Sequence, residues 1–216
     1  MSTNLPQLVV TRVADTWNQG LNLSAWDWTG ATTLPPFTLA NGRGLAIQQT
    51  VAQICYNQQA LFVRFDCDDR DIWGTGTKRD DPIFDEEVVE VFIGPGEATP
   101  IDYYEFEVSP NGVMLDLTVH NPDSQRTTIK LDASWDCPGL QWAAGRDDAN
   151  HHWWAVMVFP WTSIGATGAL PKIWRANFYR IERPRDAEPE FSCWSPTMTD
   201  PADYHKPGYF GVLALE

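Results

Sequence analysis

Arg79-Asp80-Asp81-Pro82-Ile83-Phe84-Asp85-Glu86-Glu87-Val88-Val89-Glu90-Val91-Phe92-Ile93-Gly94-Pro95 carries a charged, proline-interrupted loop straight into an apolar strand. One acid, Glu90, sits inside that strand. An ionised carboxylate among Val, Ile and Phe is costly if it faces a dry core. It needs a partner or a route to water, which makes Glu90 the first candidate for a functional residue. Alternate side chains of a strand share a face. Val89, Val91 and Ile93 are therefore expected to face the core, with Val88, Glu90 and Phe92 on the other side. The same parity sets Tyr103, Glu105 and Glu107 against Tyr104, Phe106 and Val108. Two neighbouring strands that each mix acids with aromatics predict a shallow polar groove.

Outward from this segment, long helical periodicity is absent. Short runs of β-branched and aromatic residues recur between Gly, Pro, Asn and Asp. They predict strands near 45–56, 61–66, 87–93, 103–108, 113–119, 127–131, 140–144, 152–159, 174–182, 190–194 and 209–215. Asn57–Ala60 and Ser109-Pro110-Asn111-Gly112 are turn signals, since Asn-Gly supplies the positive φ of a tight hairpin. Pro160–Ile164 predicts one short helical turn. This many short strands indicate an all-β, antiparallel, jelly-roll-like sandwich. The first 40 or so residues, with Pro35-Pro36, read as an irregular wrap. No composition shift marks a boundary, so residues 1–216 read as a single domain.

The chain has 15 Lys plus Arg against 29 Asp plus Glu, a formal charge of −14. That charge repels phosphate backbones and anionic lipid, which argues against nucleic acid and membrane partners. Met1–Gln7 lacks a basic n-region and an apolar h-region. A cytoplasmic chain is expected on that ground, or a secreted one if a precursor is trimmed. Cys55, Cys67, Cys137 and Cys193 form no CxxC pair, and reduced, buried thiols are expected. Eleven tryptophans are the compositional anomaly. Most are assigned to packing; sugar stacking is the other use of surplus aromatic rings.

Asp80–Pro95, Tyr103–Val108, Trp174–Arg180, Cys193-Trp194-Ser195-Pro196-Thr197 and Pro207-Gly208-Tyr209-Phe210-Gly211-Val212-Leu213 follow one another in the order of the landmarks of family 9 carbohydrate-binding modules. The chain resembles that family over roughly Thr38 to Leu215. The resemblance implies a β-sandwich related to haem-binding sandwiches, a non-catalytic sugar site and structural calcium. It implies a ligand of the oligo- or polysaccharide class, of xylan or glucan type, held between two aromatic rings over a strand carboxylate. The carboxylate position falls on Glu90. The clamp tryptophans fall on Phe84 and Tyr204, both aromatic and neither Trp. The family's arginine on the next strand falls on Glu107, a reversed charge. A glutamine position falls on Tyr179, one strand face with Asn177.

Each candidate has a competing structural role. Phe84 can plug the sandwich edge instead of stacking on a sugar. Glu90 can pair with Arg79, Arg175 or Arg180. Trp73, in a glycine-bounded loop, can anchor that loop instead of touching ligand. Asp66, Asp68, Asp69 and Asp71 suggest a calcium site, yet no EF-hand-like loop is present and solvated acidic loops are common in so acidic a chain. Three other functions compete with sugar binding. A glycan hydrolase would use Glu90 with Glu105 or Glu107. A haem module would draw ligands from Met114, Met157, His120 or His205. A structural sandwich would have a decayed sugar groove.

Overall fold

The computed structural model describes residues 5–216. Met1–Asn4, part of the segment read for a leader, lies outside the described residues. Fourteen strands follow in chain order: β1 (Gln7–Arg12), β2 (Thr32–Thr33), β3 (Thr38–Leu39), β4 (Thr50–Tyr56), β5 (Ala60–Asp68), β6 (Val88–Pro95), β7 (Asp102–Val108), β8 (Met114–His120), β9 (Lys130–Asp132), β10 (Gln141–Asp147), β11 (His152–Pro160), β12 (Ile173–Glu182), β13 (Glu190–Cys193) and β14 (Gly211–Leu215). The helical turn expected at 160–164 is a 3-10 turn at Trp161–Ser163, and others occur at Leu23–Ala25, Ile83–Asp85, Asp148–Asn150 and Pro207–Tyr209.

Two antiparallel layers form the sandwich. One runs β10-β11-β5-β4, with β2 beside β4. The other runs β14-β12-β6-β7-β8-β9, with β13 on β12 and β3 on β13. β1 belongs to both. Gln7–Val10 pair in parallel with β14, and Thr11–Arg12 pair in parallel with β4. The irregular wrap expected over the first 40 residues thus contains a strand that stitches the layers together. Its sequence, QLVVTR, is short and lacks clean alternation, so its pairing rather than its pattern makes it a strand.

The expected parity of β6 and β7 holds. Val89, Val91, Ile93, Phe106 and Val108 enter the core between the layers, where Phe65, Met157, Trp153 and Trp174 face them. The other face departs from the open groove expected of it. Val88, Phe92, Tyr103, Leu115, Tyr179, Tyr204 and Phe210 form a second buried cluster there. The chain after Cys193 folds back across this face. Phe210 packs edge-on against Tyr103, and the His205 ring lies 5.2 Å from that of Phe92. A second apolar layer forms because each aromatic on the outer face meets a ring from the returning segment.

The hairpin turns read as expected. Asn57 Oδ1 accepts from the Gln59 and Ala60 amides, and Gly112 takes φ +78° in the Ser109–Gly112 turn. All four cysteines are free and buried. Trp17, Trp26 and Trp28 gather with Phe62 on the outside of the β4–β5 layer, while Trp153, Trp161, Trp174 and Trp194 fill the core. The tryptophan surplus is therefore mainly packing. Among the described residues no helix is long and apolar enough to cross a membrane.

Candidate functional site

Glu90 on β6 stands directly opposite Glu107 on β7, and Glu105 stands opposite Phe92. Because β6 and β7 pair antiparallel and residues two apart share a face, all three carboxyl groups converge on the outer side of this layer. One oxygen from each lies within 4.8 Å of the other two. Glu90 is 2 % exposed, Glu105 5 % and Glu107 1 %.

Burial raises the pKa of each acid, and the acids raise one another's. Glu90 is pushed well above the usual carboxylate range by burial first and then by Glu105, with Arg126 opposing. Glu107 is pushed well up by burial, then by Glu90 and Glu105. Glu105 rises to about 7, again through burial, while a hydrogen bond from Glu107 and the charge of Arg126 pull it down. The three acids are thus a coupled set, each held above the usual carboxylate range by burial. One oxygen of Glu105 and one of Glu107 are buried without a hydrogen-bond partner.

None of the three arginines proposed as partners reaches Glu90. Arg79 pairs with Asp116 and Asp136, at 2.5 Å each. Arg175 donates to the Phe210 carbonyl. Arg180 is buried between the layers, 3.1 Å from Asp69 and 3.9 Å from Glu87. The exposed Arg126 is instead held by Asp203 at 2.7 Å. His205 approaches Glu105 at 3.7 Å. Asn121 donates to the Tyr103 hydroxyl, which shares a hydrogen bond of 2.8 Å with His205 Nδ1, while Nε2 of that ring faces Glu105. Burial lowers the pKa of His205 to about 4, so this contact is dipolar and not an ion pair.

These acids line a cavity of about 330 Å³ that is open to solvent. Its walls include Phe84, Phe92, Phe191, Tyr204, Leu117 and Leu131, with Arg126 and Arg183 at its edges. Phe84 rides on the 3-10 turn Ile83–Asp85 and is 43 % exposed. Tyr204 is 7 % exposed, and its ring stacks on that of Tyr179. Its hydroxyl donates to the Arg180 carbonyl at 2.8 Å.

This geometry, a buried carboxylate floor under a half-exposed aromatic on one face of a β-sandwich, accompanies a direct family match. The carbohydrate-binding family 9 model matches residues 46–215. The chain belongs to carbohydrate-binding family 9. An extracellular protein of Arthroderma benhamiae is 28 % identical over 174 residues, covering 77 % of this chain and 78 % of that protein. A candidate carbohydrate-binding protein from Bacteroides uniformis superposes with a TM-score of 0.76 at 18 % identity, covering 97 % of this chain and 99 % of that one. A family 9 module from Caldicellulosiruptor kristjanssonii, solved with glucose, superposes with a TM-score of 0.62 at 11 % identity over 98 % and 96 % of the two chains. The same organism's family 9 module with cellotriose gives 0.62 and 11 % over 98 % and 94 %. At such identities the structural likeness establishes the fold alone.

Of the family 9 site expected from sequence, Phe84, Glu90, Glu107 and Tyr204 come together in the cavity. Asn177, Tyr179 and Trp73 are not part of its lining. Asn177 is fully buried, donating to the Ser195 carbonyl and accepting from the Ser195 amide. Tyr179 lies beneath Tyr204, and its hydroxyl donates to the Tyr204 carbonyl. Trp73 Nε1 donates to the Arg183 carbonyl at 2.5 Å, which anchors its loop. Glu105, Phe191 and Arg126 join the cavity without having been singled out as sugar-site residues. Parity gave Glu105 its face, but nothing local to Phe191 or Arg126 announces that their distant segments meet there.

The acids read as a calcium cluster do not converge. Asp66 pairs with Arg64 and His152, Asp69 with Arg180 and Trp153, and Asp71 with Arg185. Two other acidic groups draw oxygens together: Asp69 with Glu87 and Glu182, and Asp80 with Asp116 and Asp136. In each, an arginine already supplies the positive charge, Arg180 in the first and Arg79 in the second. These residues do not fit a structural calcium ion. The haem reading also lacks a site: Met114 and Met157 lie in the core, His205 on the opposite face of its sheet, and His120 is exposed beside Asp102.

Proposed function

We propose that this chain is a non-catalytic carbohydrate-binding protein whose sugar enters the cavity beside Phe84. The carrying observation is the acidic floor of that cavity: three buried carboxyl groups, two of them with an unsatisfied oxygen, beneath a half-exposed ring. Sugar hydroxyls are donors and acceptors of the size to satisfy such oxygens. Phe84, 43 % exposed, offers its ring to a pyranose, and Phe191 and Tyr204 add apolar lining to the same cavity. Glu90 is assigned the hydroxyl-binding role and Glu107 a supporting one. Tyr179 and Asn177 hold the wall and the adjoining loop in place, and Trp73 fixes the neighbouring loop. Glucan and xylan oligosaccharides are the first ligands to try, in keeping with the glucose and cellotriose bound by the Caldicellulosiruptor modules. An extracellular setting, as for the Arthroderma relative, suits polysaccharide ligands.

A hydrolase reading is weaker. Glycosidases set two carboxyl groups on either side of the scissile bond, whereas Glu90, Glu105 and Glu107 stand side by side on one floor. A decayed groove draws support from Tyr204, whose ring is committed to Tyr179. Calorimetric titration with cello-, xylo- and manno-oligosaccharides separates these readings. Binding in the micromolar range without product release supports the proposal. Product sugars would establish the hydrolase, and no heat at millimolar sugar would leave the structural sandwich.

A further inference from the structure

Nearly all polar capacity on the floor of the cavity is of one kind. Glu90, Glu105 and Glu107 together present acceptors or shared protons, with no lysine or arginine bonded to any of them among the described residues. Across β6 and β7 the pairing places Glu90 against Glu107. Like charges directly opposite each other destabilise a sheet unless something lies between them. Resting on the sugar-binding reading above, we propose that the preferred ligand is an amino sugar whose protonated amine sits among these three carboxyl groups.

The spacing suits an ammonium group. A charge-assisted N–H···O bond is about 2.8 Å long. Three such bonds leaving a tetrahedral nitrogen place their acceptors about 4.6 Å apart. The three carboxyl oxygens here lie within 4.8 Å of one another. The ammonium supplies three donors, one to each acid, in a cluster where Glu105 and Glu107 each hold an unpartnered oxygen. Its positive charge also offsets the mutual repulsion that keeps protons on the cluster.

The remaining wall argues for an organic cation and against a metal ion. Calcium takes six to eight oxygen ligands. Around these acids the cavity offers mostly rings and hydrocarbon, Phe84, Phe92, Leu117 and Ile181 among them. A sugar ring carries both requirements in one molecule: an ammonium for the floor and C–H faces for the aromatic rim. Arg126 and Arg183, the cations lining the cavity, are otherwise engaged, Arg126 with Asp203 and Arg183 over the Phe191 ring at 5.1 Å.

The test is calorimetric titration of the full chain with β-1,4-linked glucosamine trimer, its N-acetylated counterpart and cellotriose, and separately with calcium chloride. The three sugars share a backbone and differ in one substituent per ring, an ammonium, a neutral acetamide or a neutral hydroxyl. The expected result is at least about tenfold tighter binding of the glucosamine trimer than of either neutral sugar. In Glu105→Gln and Glu107→Gln, whose folding is checked by thermal melting, the ratio of glucosamine-trimer affinity to neutral-sugar affinity should shrink to about twofold. Cellotriose binding as tightly as the glucosamine trimer overturns the amino-sugar proposal and leaves the sugar-binding function standing. Failure of all three sugars at millimolar concentration overturns both. Stoichiometric calcium binding that Glu107→Gln abolishes overturns the amino-sugar proposal by making the floor a metal site.

Discussion

The rings of Tyr204 and Tyr179 are stacked, their centroids 4.1 Å apart and their planes 19° from parallel. One face of Tyr204 is therefore occupied by its own protein, and its hydroxyl is tied to the Arg180 carbonyl. This tyrosine is a wall of the site more than a free platform. Tyr204→Ala should lower stability by about 3–5 kcal/mol, as expected for deleting a buried aromatic. Tyr204→Phe should cost about 1 kcal/mol, the worth of the lost hydrogen bond, and leave sugar affinity unchanged. Chemical denaturation beside oligosaccharide titration checks both; a Phe variant that folds normally but no longer binds would assign the hydroxyl to the ligand.

Phe84 makes the contrasting case. Its ring is 43 % exposed on a short turn. Phe84→Ala should alter stability by no more than about 0.5 kcal/mol. Sugar affinity should fall about fivefold, the equivalent of roughly 1 kcal/mol for one stacking ring. An unchanged dissociation constant for the best-binding oligosaccharide would remove Phe84 from the site.

Stability should respond to pH through the acidic floor. Glu105 has its folded pKa raised to about 7, and burial also raises Glu90 and Glu107 well above the usual carboxylate range. A folded state that binds protons more tightly than the unfolded one is favoured at low pH and loses that advantage as pH rises through the folded pKa. Glu182 at about 7 and Glu87 at about 10, both raised first by burial, act in the same direction. His205, lowered to about 4, acts oppositely, withdrawing stability as pH falls from its unfolded value toward 4. The carboxyl groups outnumber it, so the melting temperature of the unliganded protein should drop between pH 6 and 8. Glu107→Gln should flatten that slope and raise stability at pH 8 by about 1–3 kcal/mol. Melting curves across this range for both proteins decide the matter.

Arg180 is the sole cation within salt-bridge distance of Asp69 and Glu87 among the described residues. Arg180→Met should cost about 3–5 kcal/mol at neutral pH, since it leaves the buried Asp69 carboxyl group without its cation partner. A Met variant as stable as the parent at pH 7 would contradict the pairing.

Much of this architecture was legible in residue order because a half-buried strand writes its burial into alternation. Val89-Glu90-Val91-Phe92-Ile93 gave both its strand and its inward face, and Glu107 fell on the face of Glu90. The depth of that face was not legible. Acids beside aromatics suggested an open groove, but the segment carrying Tyr204, His205 and Phe210 returns across the sheet and covers most of it. Such a return depends on contacts more than eighty residues apart, such as Asn121 with His205. Arg126 and Phe191 reach the cavity by the same kind of long-range folding. β1 escaped notice because it pairs in parallel at a seam, where neither a hairpin turn nor clean alternation marks a strand.

That seam gives the molecule a mechanical character. β1 and β14 are parallel neighbours, in register from Gln7 with Val212 to Val10 with Leu215. Tension drawing the start of β1 away from the end of β14 runs along the strands. Their hydrogen bonds are then loaded in shear and must yield together, whereas bonds in a peeled hairpin break one at a time. A domain anchored at one end of its chain and pulled from the other would meet that resistance first at this pair of strands.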